Sequence, residues 1–116
     1  MTFPSSAALV AAALALAFAA PAVARSSAHA TTVDVKAKDF SFVLSTKTVQ
    51  AGRVTFVIRN DGHTAHDFAI AGHTSKTIAP GKSTRLMVTL KRGSYPYKCT
   101  IDSHAKLGMK GSLRVT

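Results

Sequence analysis

The stretch that decides the fold class of this 116-residue chain is Val54-Thr55-Phe56-Val57-Ile58-Arg59-Asn60-Asp61-Gly62. Its apolar side chains at 54, 56 and 58 recur at every second position, and a glycine ends the run. Successive side chains of a β-strand point to opposite faces of its sheet, so this period is typical of a half-buried strand. The stretch therefore predicts one strand of a β-sheet with a core on one side.

The same two-residue period recurs in most of the chain that follows Ala24. It is carried by Val33, Val35 and Ala37, by Phe40, Phe42 and Leu44, by Phe68 and Ile70, by Leu86, Val88 and Leu90, and by Leu113 and Val115. Glycines stand between these runs at positions 52, 62, 72, 81 and 93. Short strands at such spacing predict an all-β sandwich or barrel. Met87 lies inside one of the runs, and we interpret it as a packing residue.

The first 24 residues are unlike the rest and are typical of a signal peptide. Residues 7–20 are almost wholly apolar, and no charged side chain precedes Arg25. Residues 21–24 (PAVA) and 28–30 (AHA) both have the small-x-small pattern of a cleavage site. The alternative is a retained membrane anchor, but the apolar run is shorter than the roughly 20 residues that span a bilayer.

We therefore predict a cleaved signal peptide over residues 1–24, with cleavage after Ala24 or as late as Ala30. Residues 25–32 are rich in Ser, Thr and Ala and are interpreted as a mobile leader. One domain then covers residues 33–116. These boundaries predict an exported protein, periplasmic or extracellular, with no stable membrane insertion after cleavage.

The chain is strongly basic, with 15 Lys and Arg against 5 Asp and a formal net charge of +10 at pH 7. Such a charge favours anionic partners but carries no information about the fold. The aromatic residues that follow Ala24 mostly occupy predicted core positions, which leaves few for stacking on bases. Nucleic-acid binding is therefore not expected.

Cys99 is the one cysteine of the chain, which is unusual for an exported protein. It begins the loop Cys99-Thr100-Ile101-Asp102-Ser103-His104-Ala105-Lys106-Leu107-Gly108-Met109, in which the strand pattern stops. The loop thus offers a thiolate, an imidazole and a thioether at Cys99, His104 and Met109. This donor set suits copper, which accepts sulfur ligands, and it suits structural zinc less well.

A trigonal copper site with two histidines, one cysteine and a weak axial methionine needs a second histidine from elsewhere in the chain. His66 shares the parity of Phe68 and Ile70, so strand alternation points it inward. His63 and His73 are interpreted as solvated turn residues, and His29 falls in the leader. The predicted metal ligands are therefore His66, Cys99, His104 and Met109.

Three parts of the sequence carry a family resemblance: residues 54–62, the run His66-Asp67-Phe68, and Tyr97-Lys98-Cys99 with the loop that follows it. Together they resemble the plastocyanin/azurin family of cupredoxins. The resemblance covers residues 33–115 and implies a Greek-key β-sandwich of about eight strands that holds one type 1 (blue) copper ion. Asp67 stands where this family often has Asn, and the resemblance implies Thr100 as its partner. A carboxylate so near the metal would favour Cu(II).

The resemblance implies one-electron transfer by a monomer rather than catalysis. Electrons would pass through the edge of His104, with Ala105, Leu107 and Gly108 as a small apolar docking surface. Lys106 and Lys110 would attract an acidic redox protein, such as a cytochrome or an oxidase. Two alternatives remain: a copper carrier or buffer, and an accessory cupredoxin that delivers copper to a larger oxidase.

Overall fold

The computed structural model of the chain describes Thr2 and residues 29–116. The predicted signal peptide, Thr2 apart, and residues 25–28 of the predicted leader lie outside the described residues. Within residues 29–116, no helix is long and apolar enough to cross a membrane.

Nine strands account for the regular structure of the described residues, apart from one short 3₁₀ helix. The strands are β1 (His29–Lys38), β2 (Ser41–Leu44), β3 (Thr48–Val49), β4 (Gly52–Asn60), β5 (Ala69–Ile70), β6 (His73–Thr74), β7 (Ser83–Leu90), β8 (Gly93–Lys98) and β9 (Lys110–Val115). The 3₁₀ helix covers His104–Leu107.

The strands form two sheets, one with the order β2-β1-β4-β7 and one with the order β3-β9-β8-β5-β6. Both are mixed, because β1 pairs in parallel with β4 and β3 pairs in parallel with β9, whereas the other pairs are antiparallel. The prediction of an all-β sandwich is confirmed.

The alternating residues of the sequence meet in one hydrophobic core between the sheets. Its largest fully buried side chains include Phe56, Phe68, Ile58, Ile70 and Leu113. Phe68 lies near its centre, with ring centroids 5.0 Å from Phe56 and 5.3 Å from both Phe42 and Tyr97. Burial of such side chains stabilises the fold by about 1.5–3 kcal/mol each.

The structure differs from the expected boundary at the start of the domain. β1 begins at His29, and its residues 29–32 pair in parallel with residues 52–55 of β4. The expected leader over 25–32 is therefore too long at its carboxyl end, because backbone pairing continues the strand beyond its apolar part.

The interpretation of Met87 as a packing residue is wrong. Its side chain lies on the outer face of β7 and is 65% exposed. Val88 and Leu90 occupy the opposite parity and are buried, so the alternation of β7 itself turns Met87 outward.

Candidate metal centre

His66 lies three residues before the start of β5 and is fully buried. Its backbone forms an isolated bridge with Ile78: His66 N–H donates to Ile78 O at 3.1 Å, and Ile78 N–H donates to His66 O at 2.7 Å. The inward direction expected from strand parity is confirmed, since His66, Phe68 and Ile70 are all buried. The strand itself is shorter than expected and contains only Ala69–Ile70.

The loop between β8 and β9 is closed by its own backbone. Cys99 N–H donates to Met109 O at 3.0 Å, and Met109 N–H donates to His104 O at 3.2 Å. Gly108 ends the 3₁₀ helix with a φ of 115°, in the left-handed region that favours glycine. These contacts bring the three loop residues predicted as ligands to one end of the sandwich.

The donor atoms of His66, Cys99 and His104 converge. His66 Nδ1 lies 3.2 Å from His104 Nδ1, and Cys99 Sγ lies 3.7 Å from His104 Nδ1 and 4.0 Å from His66 Nδ1. All three residues are buried, and His104 is the most exposed of them at 7%. Within residues 29–116, no other cluster of three or more His, Cys, Asp or Glu side chains has this geometry.

Met109 is fully buried and is tied by its backbone to both Cys99 and His104. Its place in the loop is the one that the sequence assigns to an axial ligand, and its ligation stays a prediction. His63 and His73, which are expected to face solvent, are exposed, and so is His29; all three lie outside the cluster.

Asp67 links the two segments that carry the cluster. Its Oδ1 accepts the Thr100 backbone N–H at 2.6 Å, and its Oδ2 accepts the Thr100 hydroxyl. Asp67 is only 5% exposed, although alternation alone would place it on the outer face. The pairing with Thr100 that the resemblance implies is confirmed, and it joins the residue after His66 to the residue after Cys99.

Burial raises the pKa of the Cys99 thiol, because the protein interior disfavours a thiolate. The backbone N–H groups of Asp67 and Ile101 act against this effect, whereas the Asp67 carboxylate adds to it. The surroundings therefore favour the neutral thiol, and a thiolate at this position needs a bound cation to stabilise it.

The turn between β1 and β2 contributes two residues that the sequence interpretation missed. Asp39 Oδ1 lies 2.7 Å from His66 Nε2, and the Phe40 ring lies over His104 with a centroid distance of 4.8 Å. The Phe40 ring also meets His66 edge-on at 6.2 Å. Phe40 was recognised only as a core position, and the sequence carries no signal that pairs Asp39 with a histidine 27 residues away.

These residues fit copper. The Asp39 carboxylate is an acceptor, so His66 Nε2–H donates a hydrogen bond to it, and the lone pair of Nδ1 faces Cys99 and His104. Electron-rich atoms turned toward one another favour a cation between them. Two imidazoles, a thiolate and a nearby buried methionine match the donors of a type 1 copper-like site, whereas a thioether is not a usual zinc ligand.

Comparisons with known proteins agree with the fold. A family model described as "Cupredoxin-like domain" matches residues 7–113. A search of the curated proteins finds no match.

Three solved structures that resemble the chain are auracyanins. The dithionite-reduced auracyanin of Roseiflexus castenholzii is 19% identical, with a TM-score of 0.65 over 77% of this chain and 98% of that one. Auracyanin B is 20% identical, with a TM-score of 0.64 over 74% and 88%. Auracyanin A of Chloroflexus aurantiacus, described as a "blue" copper protein, is 17% identical, with a TM-score of 0.63 over 76% and 100%.

Proposed function

The chain belongs to the cupredoxin-like domain family, and on that basis we propose that it carries single electrons between redox partners through one type 1 copper ion. In this proposal His66, Cys99 and His104 would bind the copper, and Met109 would add a weaker thioether ligand. When bound, copper supplies the one-electron couple between Cu(II) and Cu(I).

The observation that carries the proposal is the convergence of His66 Nδ1, His104 Nδ1 and Cys99 Sγ within 4.8 Å of one another in a buried site. The donors come from two segments that are tied to each other through Asp67 and Thr100. A frame of this kind keeps the donors in one arrangement while the charge of the metal changes. Little nuclear rearrangement then accompanies electron transfer.

Burial favours an electron carrier over the alternative of a copper carrier or buffer. His66, Cys99 and Met109 are each 1% exposed or less, so an accepting protein has little access to these donors. Ligand exchange would need the loop to open, whereas an electron can leave through the edge of His104. The description of auracyanin A as a "blue" copper protein supports the same choice.

We place the docking surface for the partner around His104. Leu107 is 59% exposed beside it, and Ala105 and Gly108 add small neighbours. Lys106 and Lys110 are exposed on the same loop and would attract an acidic redox protein. A small, short-lived interface is expected, because electron-transfer contacts bury little area.

Export is part of the proposal and rests on the N-terminal sequence pattern, and copper binding would explain why an exported protein keeps a lone cysteine. A free thiol outside the cytoplasm is prone to oxidation, and a thiolate that binds copper is protected from it. We propose a periplasmic or extracellular monomer.

The test is to add Cu(II) to the purified protein and record its absorption, its electron paramagnetic resonance spectrum and its voltammogram. We expect an intense blue colour from thiolate-to-copper charge transfer, loss of colour on reduction, and a reversible one-electron wave. Cys99→Ala should abolish the colour, whereas His73→Ala, which removes an exposed histidine outside the cluster, should leave it unchanged. A colourless Cu(II) form of the wild type, or colour that survives Cys99→Ala, would contradict the proposal.

A further inference from the structure

Asp39 contacts the candidate copper site from the side opposite to the metal position. It follows β1, and its Oδ1 accepts a hydrogen bond from His66 Nε2–H at 2.7 Å. The other ring nitrogen of His66, Nδ1, faces Cys99 and His104. The imidazole of His66 is therefore held at both ends, by a carboxylate at Nε2 and by the site at Nδ1.

The carboxylate of Asp39 cannot swing freely, because three donors hold it. The His63 backbone N–H donates to Oδ2 at 2.8 Å, and the Thr64 hydroxyl donates to Oδ1 at 3.1 Å. Hydrogen bonds from these donors favour the ionised carboxylate, and four-fifths of its side chain is covered.

Asn60 shapes the turn that supplies these donors. Its Nδ2 donates to Thr64 O at 2.8 Å and to Ile78 O at 2.7 Å, and its Oδ1 accepts the Gly62 N–H at 2.9 Å. The turn is therefore attached both to itself and to the segment that bridges His66. It presents its N–H and hydroxyl groups to Asp39 in a defined arrangement.

Gly62 leaves the room that the contact needs. A Cβ at this position would overlap the Asp39 carboxylate and would lie 2.9 Å from His66 Nε2. Any side chain there would push the carboxylate and the imidazole apart. The residue type at position 62 and the Asp39–His66 contact thus depend on one another.

A carboxylate that accepts a hydrogen bond from a histidine ligand acts on the metal through that histidine. It fixes the tautomer and the ring plane, and it makes the ring a stronger donor to the metal. Its negative charge also stabilises the higher charge of Cu(II) over Cu(I). Asp61, by contrast, is bound to Arg59 at 2.8 Å on the surface of the same turn.

We propose that Asp39 is a positioning residue of the copper centre, which holds His66 Nδ1 toward the metal and stabilises Cu(II), so that the potential lies lower than it would without this carboxylate. This inference rests on the proposed function. Its tests use the copper-loaded protein and compare variants that differ in charge, in hydrogen bonding or in neither.

Asp39→Asn removes the charge and keeps an acceptor for His66, and Asp39→Ala removes both. We expect Asp39→Asn to stay blue but to lose about tenfold in Cu(II) affinity relative to Cu(I), which raises the potential by about 59 mV. Asp39→Ala should also release copper to a competing chelator, with about a 10- to 100-fold loss of affinity. Asp61→Asn makes the same change of net charge in the adjoining turn after β4 and should match the wild type in both measurements.

Gly62→Ala tests the same contact in a second way, because it displaces the Asp39 carboxylate from His66 without removing it. It should raise the potential and weaken copper binding in the same direction as Asp39→Ala. The double variant should change both quantities by less than the sum of the two single effects, since the two residues act through one contact.

The possible outcomes distinguish a failure of the proposed function from a failure of the proposed role of Asp39. Wild-type protein that is not blue contradicts the proposed function, whatever the variants do. Blue wild type with an unchanged potential and unchanged copper retention in Asp39→Asn and Gly62→Ala overturns the role of Asp39. Should Asp39→Ala not fold, as judged by circular dichroism, these two variants still decide the question. A potential that shifts equally in Asp39→Asn and Asp61→Asn would reduce the effect to net charge and also overturn the proposal.

Discussion

Replacement of Asn60 by Asp should make the stability of the protein depend on pH in a way that the wild type does not. Asn60 is fully buried at the end of β4, and its amide makes three hydrogen bonds. Two of them are donated by Nδ2 to the carbonyls of Thr64 and Ile78, and a carboxylate cannot donate. Asp at this position must therefore stay protonated or face two carbonyl oxygens as a buried anion.

The size of the effect follows from these contacts. A hydrogen bond contributes about 1 kcal/mol net, so Asn60→Ala, which loses all three, should reduce the free energy of unfolding by roughly 3 kcal/mol at any pH. Burial would raise the folded-state pKa of an Asp at position 60 above its unfolded value of about 3.9. The folded state then binds more protons than the unfolded state, so stability falls as pH rises above about 4. The slope is about 1.36 kcal/mol per pH unit, and the loss by pH 7 is at most about 4 kcal/mol.

Urea unfolding of the copper-free protein, followed by circular dichroism at about pH 4, 5.5 and 7, measures these differences. The difference in free energy of unfolding between Asn60→Asp and the wild type should widen as pH rises. The corresponding difference for Asn60→Ala should stay constant. A constant gap for Asn60→Asp, or one that narrows as pH rises, would refute the assignment of two donated hydrogen bonds to this side chain.

Three further predictions concern the site and its surroundings. Met109→Leu should reduce the free energy of unfolding by less than about 1.5 kcal/mol and should raise the reduction potential, because Cu(II) loses a weak donor. Met87→Leu, on the outer face, should change neither quantity. Urea unfolding measures the stability and voltammetry measures the potential. Burial raises the pKa of Tyr97, so its contribution to stability is lost as pH rises above 10. Between about pH 9 and 11, urea unfolding should therefore show a smaller fall in the free energy of unfolding for Tyr97→Phe than for the wild type. Tyr95→Phe should show the same fall as the wild type. Lys106→Glu should slow oxidation of the reduced protein by anionic ferricyanide in stopped-flow mixing at low salt, and the difference should shrink as salt is added.

The part of the fold that the sequence predicted is the part that depends on local periodicity. Alternation at residues 54, 56 and 58 predicted the buried face of β4, and all three side chains are fully buried. The same parity turned His66 inward, although the segment around it is mostly irregular. Parity survives there because a single bridge to Ile78 is enough to set the direction of the backbone.

Met87 shows how a residue type can mislead where the pattern does not. Methionine usually fills cores, and this preference suggested packing against the neighbours of the residue. The period of two assigns it to the outer face, and β7 lies at the edge of its sheet. Where the two signals conflict in a strand, geometry decides, since a side chain cannot change faces without a shift of register.

Contacts between residues far apart in the chain could not be predicted from the sequence, and the reason is physical. Residues 29–32 have no apolar pattern, and they join β1 because the backbone of β4 offers them hydrogen bonds. The contact between Asp39 and His66 is even harder to predict, because it depends on three conditions. It needs the turn at the end of β1, the hydrogen bonds by which Asn60 organises the loop after β4, and the absence of a side chain at Gly62. None of these conditions has a sequence signal until the strands are in place.

The placement of Asp39 and Asp67 bears on how a protein of net charge +10 can hold a cation in its interior. The excess of Lys and Arg produces a positive potential that disfavours bound Cu(II) relative to Cu(I). Two of the five acidic residues are committed to the copper-binding segments, one bonded to the His66 ring and one joining His66 to the cysteine segment. The Asp67 carboxylate is buried, where screening is weak, and the Asp39 carboxylate acts at short range through its hydrogen bond to His66, whereas most lysines act through solvent. The proposed role of Asp39 would therefore let the surface stay basic while the site itself favours the oxidised metal.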